Sequence, residues 1–152
     1  MSTVKLYTVQ EKKNIGKILD GSYKPRLDKG YASWDDNFLN GYSDMLDRLS
    51  KKTGIERDNN RSCMWAWYKN PFWENHKNIQ NIGKDLALIT FFGDSRELIA
   101  SDFDIWCDRL EGESERDYEI SLEGDKLLDN RSIQVVLWGV DPNRILSIEN
   151  FK

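Results

Sequence analysis

Ten consecutive positions, MWAWYKNPFW at residues 64–73, hold three tryptophans, a tyrosine and a phenylalanine. So much flat aromatic area has two physical uses. It can fill a core, where each ring buries a large apolar surface and packs edge-on against its neighbours. It can also form a platform on which a nucleobase stacks, worth ~1–3 kcal/mol per base. Alternation across SCMWAWY (62–68) puts Cys63, Trp65 and Trp67 on one face of a strand and Met64, Ala66 and Tyr68 on the other. Asn70-Pro71 breaks the strand, and Phe72 and Trp73 carry the aromatic run into loop. Rings at a strand end are well placed to sandwich a base. Trp65 therefore reads as core, and Trp67, Tyr68 and Trp73 as ligand-facing.

Other chemistry is sparse. The chain contains no phosphate-binding Gly-x-x-x-x-Gly-Lys-Ser/Thr loop, no Gly-x-Gly-x-x-Gly turn and no Gly-x-Ser-x-Gly elbow. Its one histidine, His76, sits in a polar, Asn-rich stretch that reads as surface. Cys63 falls on a buried strand, the inert setting for a thiol. With Cys107 far away and a single histidine, neither a zinc set nor a disulfide framework is expected. Asp102 and Asp104 sit two apart, so on a helix they do not converge on one ion and serve instead as cap and dipole partners. On an extended segment they would share a face, and a metal or acid/base role would return.

Length and charge narrow the class. The 152 residues suit a single domain with its own core, and 32% charged residues fit a globular chain. No apolar run reaches the ~20 residues of a membrane span, and the N-terminus has no signal-peptide pattern. A reduced cytoplasmic setting is expected. The net charge of −4 is unevenly spread, because residues 94–129 hold 13 acidic side chains against 4 basic ones. That segment would repel phosphates, which argues against a wrapped duplex and for a solvated acidic face or a docking surface for a basic protein.

The elements that must position these residues follow from periodicity. VKLYTVQ (4–10) reads as a strand, followed by a short helix through Ile15, Ile18 and Leu19 that ends at Gly21. Phe38, Tyr42, Met45, Leu46 and Leu49 form one continuous stripe, which predicts a helix from Ser33 as cap to Thr53, stopped by Gly54. LALITFF (86–92) reads as a central strand ended by Gly93. SDFDIWCDRL (101–110) reads as a helix capped by Ser101, IQVVLWGV (133–140) as a strand, Asp141-Pro142-Asn143 as a turn, and RILSIENF (144–151) as a last strand. The class is α+β, with five or six strands and three helices.

Four blocks in order, LYTVQ, MWAWY, SDFDIWCDRL and IQVVLWGVDPNRILSIENF, resemble a bacterial and phage family catalogued as domain of unknown function 3841, over residues 6 to 151. That family implies no activity. The two ends of the chain are also similar to ADP-ribosyltransferase-like domains, which implies small sheets around a cleft with helices outside. On that resemblance Gln134 stands where those enzymes carry a catalytic glutamate or glutamine, and Thr8 where they carry an NAD-binding histidine or arginine. An uncharged Gln134 can hold a ribose hydroxyl but cannot act as a carboxylate. The expected ligand-binding set is Tyr7, Thr8, Gln10, Trp67, Tyr68, Trp73 and Gln134. Three functions are thereby set against one another. One is a cleft binding a nucleotide-type ligand (NAD, ADP-ribose or a cyclic relative) without turnover. The others are an ADP-ribosyltransferase-like enzyme and an acidic protein-interaction or inhibitor module. No metal is expected, and NAD or a related nucleotide is the cofactor to test.

Overall fold

Strand β1 (Thr3–Glu11) runs into a single 3-10 turn and the short helix α1 (Ile15–Leu19), which places Ile18 in the core and leaves Leu19 half exposed. The computed structural model describes residues 3–25, 35–57, 61–68, 85–122 and 132–150. Within them the chain continues through α2 (Asp36–Thr53), β2 (Met64–Tyr68), β3 (Leu86–Asp94), β4 (Leu98–Asp102), α3 (Phe103–Leu110), β5 (Glu119–Ile120), β6 (Ile133–Leu137) and β7 (Ile145–Asn150). The class is α+β, as the periodicities predict. No helix among these residues is long and apolar enough to cross a membrane. Trp73, His76 and Ser33 lie outside the described residues.

All seven strands join in one antiparallel sheet of order β5-β4-β6-β2-β1-β3-β7. The ladder is uneven. β1 pairs with β3 over its whole length, from Thr3↔Asp94 to Glu11↔Leu86, but among the described residues it meets β2 only at Leu6↔Tyr68 and Tyr7↔Trp67. That narrow seam divides the sheet into two smaller ones, β5-β4-β6-β2 and β1-β3-β7. A flat sheet would hold β3 and β4 four strands apart, about 19 Å. A Cβ built on Gly93 of β3, however, would lie 3.5 Å from Leu98 Cδ2 of β4. The sheet therefore folds over at the seam. The two halves enclose an inner core that draws Leu6, Ile89 and Phe91 from one side and Ala66, Ala100, Ile133 and Val135 from the other.

The outer face of the β4-β6-β2 half carries a second core beneath α2 and α3. Met45, Leu46 and Leu49 of α2 are fully buried there against Ile99, Val136 and Trp138, and Phe38 and Tyr42 complete the predicted stripe. Asp35 caps the helix by accepting from the Phe38 amide at 3.1 Å, and Gly54 ends it in a left-handed conformation (φ 73°) that glycine adopts without strain. Gly41 lets α3 approach closely, since a Cβ there would stand 2.8 Å from Leu110 Cδ2.

Three expectations change. The cap of α2 is Asp35 and not Ser33, so the helix starts at Asp36. Ser101 is not a helix cap. It and Asp102 end β4, and Asp102 caps α3 by accepting from the Asp104 and Ile105 amides at 3.1 and 3.2 Å. Gly93 does not end β3, which continues to Asp94; the missing side chain leaves room for Leu6, whose Cδ1 would otherwise sit 2.7 Å from a Cβ.

Candidate functional site

β2 is the centre of the site because it lies between the seam and the helix-covered core. Its alternation follows the sequence pattern. Met64 and Ala66 enter the inner core, and Trp65 and Trp67 face the helices. Trp65 belongs to an aromatic cluster with Tyr42 (centroids 6.2 Å apart) and Trp106 (5.5 Å), and Trp106 in turn meets Tyr118 edge-on at 4.9 Å. Edge-to-face packing of this kind is the arrangement aromatic quadrupoles prefer. Trp65 is core. Burial also pushes the Tyr42 hydroxyl and the Cys63 thiol up to about 12, so neither ionises near neutrality.

Trp67 is placed differently. It is half-buried at the rim of the cluster, edge-on to Phe103, the first residue of α3, at 5.2 Å. Cross-strand registry puts Gln134 of β6 on one side of it and Tyr7 of β1 on the other. Directly opposed residues project from the same face of a sheet, so Tyr7, Trp67 and Gln134 form one transverse row that crosses the seam. Ser101 of β4 extends the row beyond Gln134, its hydroxyl donating to the Gln134 carbonyl at 3.2 Å. The Gln134 side-chain amide has no hydrogen-bond partner among the described residues. All three side chains of the row are half-buried. The row thus offers one large flat ring, flanked by a phenol and an amide.

Thr8, Gln10 and Tyr68 do not join this row. They alternate to the opposite face, toward the inner core. Thr8 is 1% exposed, and its hydroxyl donates to the Trp65 carbonyl at 2.7 Å while accepting from Gln10 Nε2 at 2.9 Å. The first of these bonds spans the seam beyond the paired positions Leu6↔Tyr68 and Tyr7↔Trp67, and the second, within β1, holds the Thr8 hydroxyl in place. Thr8 holds the two half-sheets together, and its hydroxyl is already engaged. Tyr68 packs against the inner core beside Leu6. Phe103 is the residue that pattern reading left out. Its meeting with Trp67 depends on β4 ending at Asp102, a strand buried on both faces that shows no alternation.

Tyr7, Trp67 and Gln134 include no carboxylate, imidazole or thiol. The row can stack through the indole and hydrogen-bond through the phenol and the amide. The acidic trio Asp108, Glu111 and Glu113 lies exposed around the end of α3, away from the row.

No family model matches the chain, so the family resemblance rests on the four sequence blocks. No curated protein matches it either. Among solved structures, Thermosipho africanus DarTG in complex with ADP-ribose is similar, with a TM-score of 0.41 and 14% identity, over 95% of this chain and 43% of that one.

Proposed function

We propose that this chain binds a nucleotide-type ligand (NAD, ADP-ribose or a cyclic relative) against the row Tyr7–Trp67–Gln134, by stacking and hydrogen bonding and without turnover. The observation that carries this reading is the registry of three neighbouring strands, which puts one half-buried indole between a phenol and an amide that has no partner among the described residues. A base stacked on Trp67 would leave the ribose within reach of the amide of Gln134. The seam gives the row a natural boundary, because β1 and β2 diverge beyond Tyr7 and Trp67. Thr8 and Gln10 serve this site as supports, and Tyr68 as packing, in place of the direct ligand contacts expected of them from the sequence.

A melting-temperature screen against NAD, ADP-ribose, cyclic ADP-ribose and AMP tests the proposal. A ligand at a hundred times its dissociation constant should stabilise the fold by about 2.7 kcal/mol. In Gln134→Ala the affinity for the responding nucleotide should fall roughly tenfold, about 1.4 kcal/mol, with little change in the melting temperature of the free protein. Unchanged affinity in folded Gln134→Ala would remove this residue from the site.

A further inference from the structure

One flank of the Tyr7–Trp67–Gln134 row is closed by packing, and the other carries a charge. The next residue of β2 on the row's face is Trp65, whose ring packs with Tyr42 and Trp106 under the helices and fills that flank. Antiparallel pairing of Tyr7 with Trp67 puts Lys5, two residues before Tyr7, on the same face and on the opposite flank. Lys5 is thus a diagonal neighbour of Trp67, at a backbone spacing of roughly 7–8 Å that long side chains bridge. Its ammonium stands over the Tyr7 ring, 5.8 Å from the centroid, and it makes no ion pair with any described residue. Its neighbours on β3 do not neutralise it. Phe92 is directly opposed, and the carboxylate diagonal to it, Asp94, is bound by Arg96 through both oxygens, at 3.2 and 2.9 Å. At the far end of the row the start of α3 contributes two carboxylates, Asp102, which pairs with Ile133 beside Gln134, and Asp104 in its first turn. The row therefore runs from negative at Gln134 to positive at Lys5.

Given the nucleotide reading of the row, on which this rests, we propose that Lys5 is the phosphate-binding residue of the site and selects 5′-phosphorylated nucleotides over nucleosides. A base on Trp67 cannot extend toward Trp65, so its ribose leaves on the Lys5 flank, with the Gln134 amide to one side and the ammonium ahead. A lysine meets phosphate as a compact point charge on a long stem and needs no fixed angle of approach. The acidic start of α3 repels the same phosphates, so the two ends of the row act in one direction. The phenol and the amide, both uncharged, give no such preference. A ligand without phosphate gains nothing from Lys5.

NMR titrations of the whole chain with ADP-ribose and with adenosine, followed at the Trp67 indole N–H, test the proposal. In the wild type, ADP-ribose should bind at least about threefold more tightly than adenosine. Lys5→Gln should remove most of that preference by weakening ADP-ribose alone, and Lys5→Arg should restore it. Salt at about 0.5 M should erase the difference between wild type and Lys5→Gln, because exposed charges are screened. Lys5 is exposed, so neither substitution should move the melting temperature of the free protein. Unchanged ADP-ribose affinity in Lys5→Gln, or an equal fall for ADP-ribose and adenosine, would overturn the role of Lys5 and leave the row as a nucleotide site. No saturable shift with either probe in the wild type, up to about 10 mM, would overturn the nucleotide reading of the row and the role of Lys5 with it.

Discussion

Thr8 and Trp67 flank the same seam and do opposite things. The Thr8 hydroxyl is buried and used twice, donating to the Trp65 carbonyl and accepting from Gln10, whereas the Trp67 ring stands at the rim of its cluster. Replacing Thr8 by valine keeps the shape but leaves the Trp65 carbonyl and the Gln10 amide unpaired in a buried setting, a cost of about 1–3 kcal/mol. Urea melts should show that loss for Thr8→Val and recover most of it in Thr8→Ser, which restores the hydroxyl. If Thr8→Val melts like the wild type, the hydroxyl does not hold the seam. At this scale the sequence was partly legible. Alternation alone separates Trp65 and Trp67 from Tyr68, and the core assignment of Trp65 follows from its neighbours. Alternation also puts Tyr7 and Thr8 on opposite faces of β1; it could not show that Tyr7 falls beside Trp67, because that depends on which strand lies alongside β1.

Among the elements, α2 is the most legible and the most consequential for stability. Its stripe, its cap region and its glycine stop agree with one another, and Met45, Leu46 and Leu49 are fully buried. Leu49→Ala should cost ~2–5 kcal/mol in a denaturant melt, the range for a buried leucine whose cavity only partly relaxes. A cost near zero would place the stripe outside the core. The loop after α3 is tied to the same helix. Arg48 pairs with Asp44, Asp117 and Glu119 at 3.0, 2.7 and 3.1 Å and lies 4.5 Å over the Tyr118 ring. The Tyr118 hydroxyl donates to Asp44 at 2.6 Å. Arg48→Met should therefore lower stability, and the loss should shrink in high salt to the extent that the ion pairs carry it. β4 and β5 escape sequence reading for a physical reason. β4 is buried at all five positions, so it shows no polar alternation, β5 has only two residues, and the Ser101–Asp102 pair has the composition of a helix cap. Only the β6 ladder, from Leu98↔Leu137 to Asp102↔Ile133, makes β4 a strand.

For the whole molecule, the governing feature is a sheet folded over at the β1–β2 seam, which pairs at two positions among the described residues, with one core between its halves and another under the helices. The apolar and polar positions of each strand foretell two buried faces but not their order, since a register or neighbour choice leaves the pattern of a single strand unchanged. The acidic segment keeps its charge imbalance in the fold, although Arg48 absorbs part of it at Asp117 and Glu119. The row across the seam joins one residue from each of three strands far apart in sequence, and its binding role is the central claim. That claim is tested most directly by following tryptophan emission while ADP-ribose or NAD is added to the wild type, to Trp67→Phe and to Trp106→Phe. Stacking on Trp67 predicts saturable quenching in the wild type that persists in Trp106→Phe and is largely lost in Trp67→Phe, each variant first shown to be folded. Quenching that survives in Trp67→Phe, or no saturable response to either nucleotide in the wild type, would contradict it.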